Sequence, residues 1–414
     1  MVDQTAKFSA FIGLDWANQK HDVCVQAGAN GKRRFEVIKN TPEFLECWLN
    51  ELHSEVGGNI AVAVELTRGP IVYLLQKYPF ITVFPIHALS LARYRQAFAP
   101  SGAKDDPTDA EIALDLMLKY PSKVKPLKPS SNEVRVLSHL VEQRRLLVED
   151  KRRFVNRLIN ALKQYYSQPL EWFSHRDSDL FCDFLLRWPS LQELKRSREN
   201  TIREFFKSRG GNAVSLTEKR LEAIAAAVPL THDEAVIQAH KRFVQSVIKQ
   251  LKVTIDNIRT YDSEIRTLFE QMPDAAIFSS LPGTGPCLAP RLLAAIGDDR
   301  ERFSTAQQLQ NFAGLSPVTE RSGKKSWVHW RWQCSKFVRQ SFVEWAAKSV
   351  HQSYWAGLYY QQQRDKGKSH QSAVRSLAYK WARIVFKCWK SKQLYDESKY
   401  LKSLREKKST LLAA

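Results

Sequence analysis

The chain has 414 residues, a length that predicts two or three domains rather than one core. An apolar share of 43% and a charged share of 26% exclude an intrinsically disordered protein, and no run of about 20 apolar residues suggests a membrane span. Because the formal net charge is +20, we expect a polyanionic partner, with nucleic acid the leading candidate and a merely basic enzyme the alternative. The sequence begins without a signal-peptide pattern, and the six cysteines lack the spacing of a zinc site or a disulfide framework, so we expect a soluble cytoplasmic protein.

The first 120 residues alternate between strand-like and helix-like patterns. Strands are predicted at residues 8–15, 21–27, 32–38, 59–67 and 81–85, and helices at residues 42–53, 70–77 and 110–118. The order β-β-β-α-β-α-β-α is that of RNase H-like folds, in which the first strand lies beside the fourth. The first three strands are joined by short polar turns and predict an antiparallel meander. Thr41 is expected to cap the first helix, with Pro42 at its first position.

Two long segments in the middle of the chain carry apolar residues at helical spacing. Residues 134–166 contain neither Pro nor Gly, and residues 244–272 have apolar side chains that step by alternating four and three positions. The second pattern predicts a coiled-coil seam with a polar interruption at Asp262. We expect these arms to pair with each other or with the arms of another subunit, and the stretch between them to form a short helical tip.

The composition changes again after Met272. Segments rich in Gly, Pro and Ser come first, and a mainly helical part then runs from about Lys336 to the end. The last 54 residues hold 14 Lys and Arg against four Asp and Glu. We therefore predict an α/β domain at residues 1–130, coiled-coil arms with a helical tip at 131–272, and a mainly helical domain with a basic tail at 273–414.

Four acidic residues are placed where they can act together. Asp15 ends the first predicted strand and Glu65 the fourth, so the two carboxylates would face each other across about 4.8 Å and share a hard cation. Asp106 and Asp109 are three positions apart and so lie on one face of a helix. Taken singly, each could instead be a turn residue or part of an acidic helix start. Their joint placement favours a site for two Mg²⁺ ions of the kind that serves phosphoryl transfer.

Several motifs carry a family resemblance. The segments IGLDWANQKHDVCV from Ile12, VAVELTRG from Val62 and AKDDPTDA from Ala103 resemble the DEDD-motif insertion-sequence transposases, a group that includes the Piv-like DNA invertases and the bridge-RNA-guided recombinases. A later stretch, which begins LPGTGPCLAP and ends in VTERSG, is similar to the family's second conserved block. The resemblance covers about residues 8–120 and 275–390, and the order and spacing of both blocks make it specific.

The resemblance implies an RNase H-like (RuvC-like) domain whose DEDD tetrad corresponds to Asp15, Glu65, Asp106 and Asp109, with two Mg²⁺ ions bound there. It also implies a transposase-specific domain with a serine nucleophile, and the residue that matches is Ser322. Family members cut and rejoin DNA through a covalent link between serine and phosphate, in an active site completed between subunits. Some use a structured noncoding RNA to choose their DNA. The expected partners are therefore donor and target DNA, a structured guide RNA and further copies of the chain, as a dimer or tetramer in a prokaryotic cytoplasm.

The chain departs from the family pattern after the serine motif. The segment GKKSWVHWRWQCS has Trp327, Trp330 and Trp332 where relatives tend to have small residues and glycines. Interleaved aromatic and basic residues can stack on bases, but a place in the core is the favoured prediction for these rings. Ser326 lies close enough to Ser322 to leave open which serine attacks.

Groups in and after the second block are candidate nucleic-acid contacts. The LPGTGP segment, with Gly283 and Gly285, is typical either of the hairpin of a helix-hairpin-helix, whose N–H groups face a phosphate, or of a plain turn between helices. Lys324 and Lys325 follow the serine motif and are further predicted contacts. Asp105, next to the tetrad, is interpreted as a solvated neighbour.

We therefore predict a Mg²⁺-dependent transposase or recombinase that exchanges DNA strands through a phosphoserine intermediate. Two alternatives stay open. One is a metal-dependent junction-resolving nuclease in which Ser322 is merely structural, and the other is a non-catalytic nucleic-acid scaffold that uses the coil and the basic tail. The second conserved block favours the transposase, since a nuclease alone would not need it.

Overall fold

A computed structural model of the protein describes residues 7–98, 106–209, 214–323, 325–406 and 411. The chain forms two compact units, Met1–Pro129 and Ser130–Ala414. The finer division into three domains, with a further boundary at residue 272, remains a prediction. Within the described ranges no helix has both the length and the apolar composition needed to cross a membrane.

The first unit is a five-stranded sheet with helices packed on both faces. Its elements in chain order are β1 (Ala10–Asp15), β2 (Lys20–Ala27), β3 (Arg33–Lys39), α1 (Pro42–Val56), β4 (Ile60–Val64), α2 (Pro70–Leu75), β5 (Ile81–Pro85), α3 (Ala88–Phe98) and α4 (Asp106–Lys119). The strand order in the sheet is β3-β2-β1-β4-β5, in which β1 and β3 are antiparallel to β2, and β4 is parallel to β1 and β5. The predicted meander and the predicted position of the first strand beside the fourth are confirmed.

Alternating side chains of the central strands enter two separate cores. Ile12 and Leu14 of β1 pack with α1 and α2, whereas Phe11 packs with α4 on the opposite face. Helix α1 begins as predicted, because the Thr41 side chain accepts a hydrogen bond from a backbone N–H of the first turn and Pro42 is its first residue. Strands β1 and β4 are thus buried on both faces and become polar only where they end.

The described part of the second unit is helical apart from one β-hairpin. Its helices are α5 (Asn132–Tyr165), α6 (Pro169–Trp172), α7 (Asp179–Arg187), α8 (Leu191–Lys195), α9 (Glu199–Ser208), α10 (Val214–Ala226), α11 (Glu234–Glu270), α12 (Ala275–Ser279), α13 (Gly285–Ile296), α14 (Ala306–Phe312), α15 (Lys336–Ser349), α16 (Tyr354–Asp365), α17 (His370–Ser391) and α18 (Glu397–Glu406). The hairpin lies between α14 and α15 and consists of β6 (Val318–Ser322) and β7 (Lys325–His329).

The two long helices α5 and α11 lie side by side and run in opposite directions, since the start of α5 packs with the end of α11. Their contact includes the predicted polar interruption, where the Arg144 guanidinium donates to both carboxylate oxygens of Asp262, at 2.5 and 3.0 Å. The arms of one chain therefore pair with each other, which is the first of the two predicted possibilities. Helix α11 begins well before the predicted seam because the Asp233 side chain accepts hydrogen bonds from the first turn.

Two clusters of buried side chains hold the second unit together. One joins the end of α5 and the start of α11 to the helices α6–α10, which lie between the two arms in the sequence. The other joins the opposite ends of the arms to α12–α17. Its largest fully buried side chains are the tryptophans Trp345, Trp355, Trp381 and Trp389. The base of the arms and the C-terminal helices therefore share one core.

Candidate functional site

Asp15 and Glu65 lie at the same end of the sheet. Asp15 is the last residue of β1, and Glu65 follows β4 directly. Because β1 and β4 are parallel, with Leu14 opposite Val64, the two acidic positions are next in register, about 4.8 Å apart across the strands. Asp15 is half-buried and Glu65 is exposed. This placement agrees with the sequence prediction, and we name the pair the sheet-end carboxylates.

Helix α4 carries Asp106 and Asp109 in its first turn and touches β1 very closely. A Cβ atom on Gly13 would lie only 1.8 Å from the Ala110 carbonyl oxygen, so the two backbones are in direct contact. Gly13 precedes Asp15 by two residues. Since Ala110 directly follows Asp109, the start of α4 lies beside the end of β1. The tight contact therefore brings the helix start to the sheet-end carboxylates.

Asp109 is already engaged in a salt bridge. It is only 7% exposed, and its carboxylate pairs with the Arg95 guanidinium of α3. Asp106, at the start of the same turn, is exposed, and Asp105 lies outside the described residues. Across the ranges that the structure describes, no three His, Cys, Asp or Glu side chains are grouped closely enough to hold a metal ion. The four predicted ligands thus come to one region of the unit without forming a single cluster.

A further acidic residue, Asp22 in β2, lies at this end of the sheet and was not predicted. It is directly opposite Asp15 in the antiparallel register, is 5% exposed and has its carboxylate 3.7 Å from the Lys20 ammonium. Directly opposed residues of an antiparallel pair share one face of the sheet. The sequence could have indicated Asp22, because the connection between β1 and β2 is short. A short connection makes positions 15 and 22 direct cross-strand neighbours in the antiparallel pair.

The chemistry of this region fits a hard cation. Its donors are carboxylate oxygens, the ligands that Mg²⁺ prefers, and two of them come from adjacent parallel strands. Asp109 shares its Oδ1 with Arg95, so a cation there would compete with that guanidinium for the carboxylate. Asp15 and Glu65 are therefore the two carboxylates whose placement on adjacent strands suits one shared cation.

Other acidic residues of α4 serve to fasten the helix to the sheet. The Arg33 guanidinium of β3 donates to Glu111 Oε1 at 2.6 Å and also to Asp115. Lys119 Nζ donates to the second Asp115 oxygen at 2.6 Å. Burial alone would raise the pKa of Asp115, but the bonds from Lys119 and Arg33 hold that pKa below its ordinary value. These carboxylates are occupied by the fold and are not candidates for a metal.

Ser322 lies at the tip of the hairpin formed by β6 and β7. It is exposed, is the last residue of β6, and pairs with Lys325, the first residue of β7. Gly323 follows with a φ of 55°, in the left-handed region that favours glycine. Lys324 lies outside the described residues. The hairpin was not predicted, although Trp327 and Val328, which favour strands, follow a turn that contains glycine.

The hairpin register sorts the two candidate serines onto opposite faces. Side chains alternate along a strand, so Ser322 shares its face with its partner Lys325 and with Glu320 two positions away. Ser326 pairs with Arg321 and lies on the other face. The two serines therefore differ in their surroundings, although only three residues separate them in the sequence.

Three more side chains on the face of Ser322 form a hydrogen-bonded group. Glu320 Oε2 accepts a hydrogen bond from the Trp327 indole N–H at 2.9 Å, and Glu320 Oε1 lies 2.7 Å from His329 Nε2. The bond with Glu320 raises the pKa of His329, and the bond with His329 lowers the pKa of Glu320. We name the surface formed by Ser322, Lys325 and these three residues the serine face.

The tryptophans of this segment lie outside the core, so the favoured prediction for them is wrong. Trp327 and Trp332 are 46% and 78% exposed. Trp330 is half-buried, with the guanidinium carbons of Arg339 and Arg375 4.5 and 4.3 Å from the centre of its ring. The core of this unit takes its tryptophans from α15, α16 and α17, whose helical spacing aligns them inward.

The LPGTGP segment connects α12 to α13. Gly283 has a φ of 81° and packs so closely on α15 that a Cβ atom there would lie 2.8 Å from the Ser349 backbone nitrogen. The Thr284 hydroxyl donates to carbonyl groups of the preceding turn. Gly285, with a φ of 51°, faces open space. Gly283 is therefore required by packing, whereas Gly285 is accessible to a ligand.

Family models match both ends of the chain. A model of DEDD transposases of the IS110 type matches residues 12–167, and the model described as the transposase IS116/IS110/IS902 family matches residues 275–361. The first range contains the sheet-end carboxylates and the acidic start of α4. The second range contains the whole β6–β7 hairpin and therefore Ser322.

Curated relatives extend the match over nearly the full length. The mini-circle putative transposase for IS117 of Streptomyces coelicolor is 27% identical over 94% of this chain and 96% of its own. The insertion element IS110 uncharacterized 43.6 kDa protein of the same organism is 23% identical over 95% of this chain and 96% of its own. The pilin gene-inverting protein of Moraxella bovis is 32% identical over 22% of this chain and 32% of its own. With both conserved blocks matched in order, the chain belongs to the DEDD-motif family of insertion-sequence transposases of the IS110 type.

Proposed function

We propose that this transposase cuts and rejoins DNA strands through a covalent phosphoserine on Ser322, with Mg²⁺ held by the carboxylates of the first unit. The observation that carries the proposal is the serine face, on which an exposed hydroxyl is paired with an exposed ammonium group at the end of a hairpin. A DNA phosphate can approach such a hydroxyl without a rearrangement of the core.

The reaction is a balanced exchange of phosphodiester bonds. The Ser322 oxygen attacks the phosphorus and loses its proton to solvent, while the bond from phosphorus to one deoxyribose oxygen breaks and that oxygen takes up a proton. A hydroxyl group of a second DNA end then attacks the phosphoserine, and the serine oxygen is released and protonated. The number of phosphodiester bonds is unchanged, so strand joining needs no nucleotide triphosphate.

Lys325 is expected to hold the phosphate and assist the attack. Directly opposed side chains in an antiparallel pair have Cβ atoms about 4.5–5.5 Å apart, so the ammonium group can reach a phosphate that Ser322 attacks. A serine hydroxyl is a weak nucleophile at its ordinary pKa, and a nearby positive charge favours its ionised form. Ser326 has a cationic partner of its own, Arg321 on the other face, so the choice of Ser322 rests on the family motif.

The first unit supplies the metal site in this proposal. Its strand order and the position of Asp15 and Glu65 on adjacent parallel strands support an RNase H-like (RuvC-like) domain. Asp15, Glu65, Asp106 and Asp109 are the proposed ligands, and Asp109 would exchange its bond to Arg95 for the metal. Mg²⁺ bound there would activate a nucleophile and stabilise the charge on a leaving oxygen.

The partners in the proposal follow from the charge and from the arms. The net charge of +20 and the basic C-terminal helices suit donor and target DNA in a prokaryotic cytoplasm, and a structured noncoding guide RNA would bind through the same electrostatics. Lys324, Lys325 and Gly285 are proposed contacts to the nucleic acid. A homodimer or homotetramer is part of the proposal on the family resemblance alone, because the long arms of one chain pair with each other. The division into domains at residues 1–130, 131–272 and 273–414 belongs to the same proposal.

A trapping experiment tests the serine chemistry. A suicide DNA substrate, made from the sequences that flank the gene in its host genome and nicked near the expected joint, is incubated with protein and Mg²⁺. A denaturing gel should show a protein–DNA adduct that Ser322→Ala abolishes and the matched control Ser326→Ala retains. An adduct lost only with Ser326→Ala would contradict the assignment of Ser322.

The same substrate separates the two alternatives. Cleavage that survives Ser322→Ala but not Asp15→Ala would indicate a junction-resolving nuclease without a serine intermediate. Binding without cleavage or adduct, with Mg²⁺ present, would indicate a non-catalytic scaffold. The proposal expects that Asp15→Ala and Glu65→Ala each abolish the adduct. A higher Mg²⁺ concentration should not restore the adduct in either variant.

A further inference from the structure

Trp327 lies beside Ser322 on the serine face. Its direct partner in the hairpin is Glu320, and it is the diagonal neighbour of Ser322, two positions from Lys325. Diagonal neighbours on one face are about 7 Å apart, near enough for one nucleotide to contact both side chains. The indole is 46% exposed on a hairpin whose other residues are mostly exposed too. A large ring is therefore presented to solvent next to the proposed nucleophile.

The position of the indole is fixed by the hairpin itself. An indole has a single polar group, its N–H, and that group donates to Glu320 Oε2 at 2.9 Å. Glu320 is in turn held by His329, whose ring nitrogen Nδ1 lies 3.0 Å from the Trp330 carbonyl oxygen. Because the polar edge is bound and the ring is held in place, a ligand that lies flat on the ring loses little side-chain entropy on binding.

A nearby tryptophan shows the contrast. Trp330 has the guanidinium groups of Arg339 and Arg375 within 4.5 Å of its ring centre, so its faces are used for contacts within the chain. Trp327 combines an exposed ring with the cationic side chain of Lys325, two positions away on the same face. An exposed aromatic ring beside a cation suits a base with its adjoining phosphate, since bases stack on aromatic rings and phosphates bind Lys.

We propose that Trp327 stacks on an unpaired DNA base next to the phosphate that Ser322 attacks. The inference rests on the proposed serine chemistry, because that chemistry places DNA on this face of the hairpin. A paired base inside a duplex has no free ring face, so the platform selects a strand that is locally opened at the joint. Trp327 would hold that base, Lys325 the adjoining phosphate, and Glu320 would position the indole.

Binding of a short single-stranded oligodeoxynucleotide tests the platform. The probe has mixed sequence and carries a single 2-aminopurine, and all variants are made in the Ser322→Ala background to prevent reaction. Trp327→Ala should weaken binding about 5- to 100-fold, the effect of removing one stacked base, and should restore the 2-aminopurine fluorescence that stacking quenches. Trp327→Phe should recover part of both signals, and Glu320→Gln should fall between wild type and Trp327→Ala.

Val328→Ala is the matched control, since Val328 is on the same strand, is exposed, and lies on the opposite face. It should leave the affinity for single-stranded DNA unchanged. Equal affinities of the Trp327→Ala and Val328→Ala variants, or an equal loss on the matching duplex, would overturn the inference. A loss confined to single-stranded RNA of the same sequence would also overturn it.

The platform and the serine chemistry can fail separately. If no adduct forms in the trapping experiment but Trp327-dependent quenching persists, the serine assignment is wrong and base stacking stands. If the adduct forms at the wild-type rate with Trp327→Ala, and quenching is unchanged, the serine chemistry stands and the platform is wrong.

Discussion

The two candidate centres of this transposase are built in opposite ways. The sheet-end carboxylates stand on strands that are buried on both faces, next to a helix in backbone contact with β1. Ser322 stands on a two-stranded hairpin whose residues are almost all exposed. Acidic groups that must share a cation need fixed separations, and a buried sheet provides them. A nucleophile that must meet a polymer needs access, which an exposed hairpin provides. Substitutions should therefore cost stability at the first centre and chemistry at the second.

The largest effect on stability is expected from Gly13→Ala. The new Cβ atom would lie 1.8 Å from the Ala110 carbonyl oxygen, so β1 and α4 must separate. We expect a loss of about 4 kcal/mol or more in the free energy of unfolding, measured by urea denaturation. The control Gly28→Ala, at a left-handed position with open space around it, should cost only about 1 kcal/mol. Similar losses for the two variants would contradict the close helix–strand contact.

Arg95→Ala should cause the second-largest loss of stability. It leaves the carboxylate of Asp109 buried without its positive partner, and breaking such a pair costs about 3 kcal/mol. The double variant Arg95→Ala/Asp109→Asn, which removes both charges, should be more stable than the single one. Mg²⁺ should raise the melting temperature of Arg95→Ala more than that of the wild type, because a bound cation replaces the missing charge. An equal rise in both proteins would count against Asp109 as a metal ligand.

Ser322→Ala should change stability little. Ser322 is exposed at the end of the hairpin, so we expect its removal to alter the free energy of unfolding by less than about 0.5 kcal/mol. Differential scanning calorimetry should show the same transition as for Val328→Ala on the opposite face. A marked destabilisation would mean that Ser322 has a structural role, as in the nuclease alternative.

The smallest effect is expected from pH at the Glu320–His329 pair. The pKa of His329 is raised, so its contribution to the stability of the fold is complete below about pH 6.5. That contribution is lost as the pH rises through the raised pKa. The pKa of Glu320 is lowered, so its contribution to the stability of the fold is complete above about pH 4.3. That contribution is lost as the pH falls through the lowered pKa. Between these limits the pair is intact. An NMR titration should show a raised imidazole pKa that Glu320→Gln lowers, because the variant loses the larger of its two causes and keeps the bond to the Trp330 carbonyl. An unchanged titration in that variant would contradict the contact.

Local patterns were enough to predict most of the first unit. Short strand-like segments between polar turns, and a nearly continuous apolar run at the fourth, indicated β1 to β5 in order, and Thr41 with Pro42 marked the start of α1. The same patterns put Asp15 and Glu65 at strand ends, since a buried strand stops where a charge appears. The long arms were equally legible, because apolar residues that recur at helical spacing over many turns are typical of a long helix and of little else.

The salt bridge of Asp109 could not be predicted from such local sequence patterns. Arg95 and Asp109 belong to different helices, and their meeting depends on how α3 and α4 pack on the sheet. Asp22 became a neighbour of Asp15 only through the hairpin register. The tryptophans after the serine were assigned to the core by residue type, yet hairpin geometry turns Trp327 outward beside Ser322.

The sequence by itself determined the order of elements, the caps and arms, the acidic strand ends and the family motifs, because these depend on residues close together in the chain. Tertiary structure alone decided which charges meet, as in the pairing of Asp109 with Arg95. It also decided which serine shares a face with Lys325, and that Gly283 is held by packing while Gly285 is open. These outcomes depend on strand register and on helix contacts between distant residues, which no local spacing encodes.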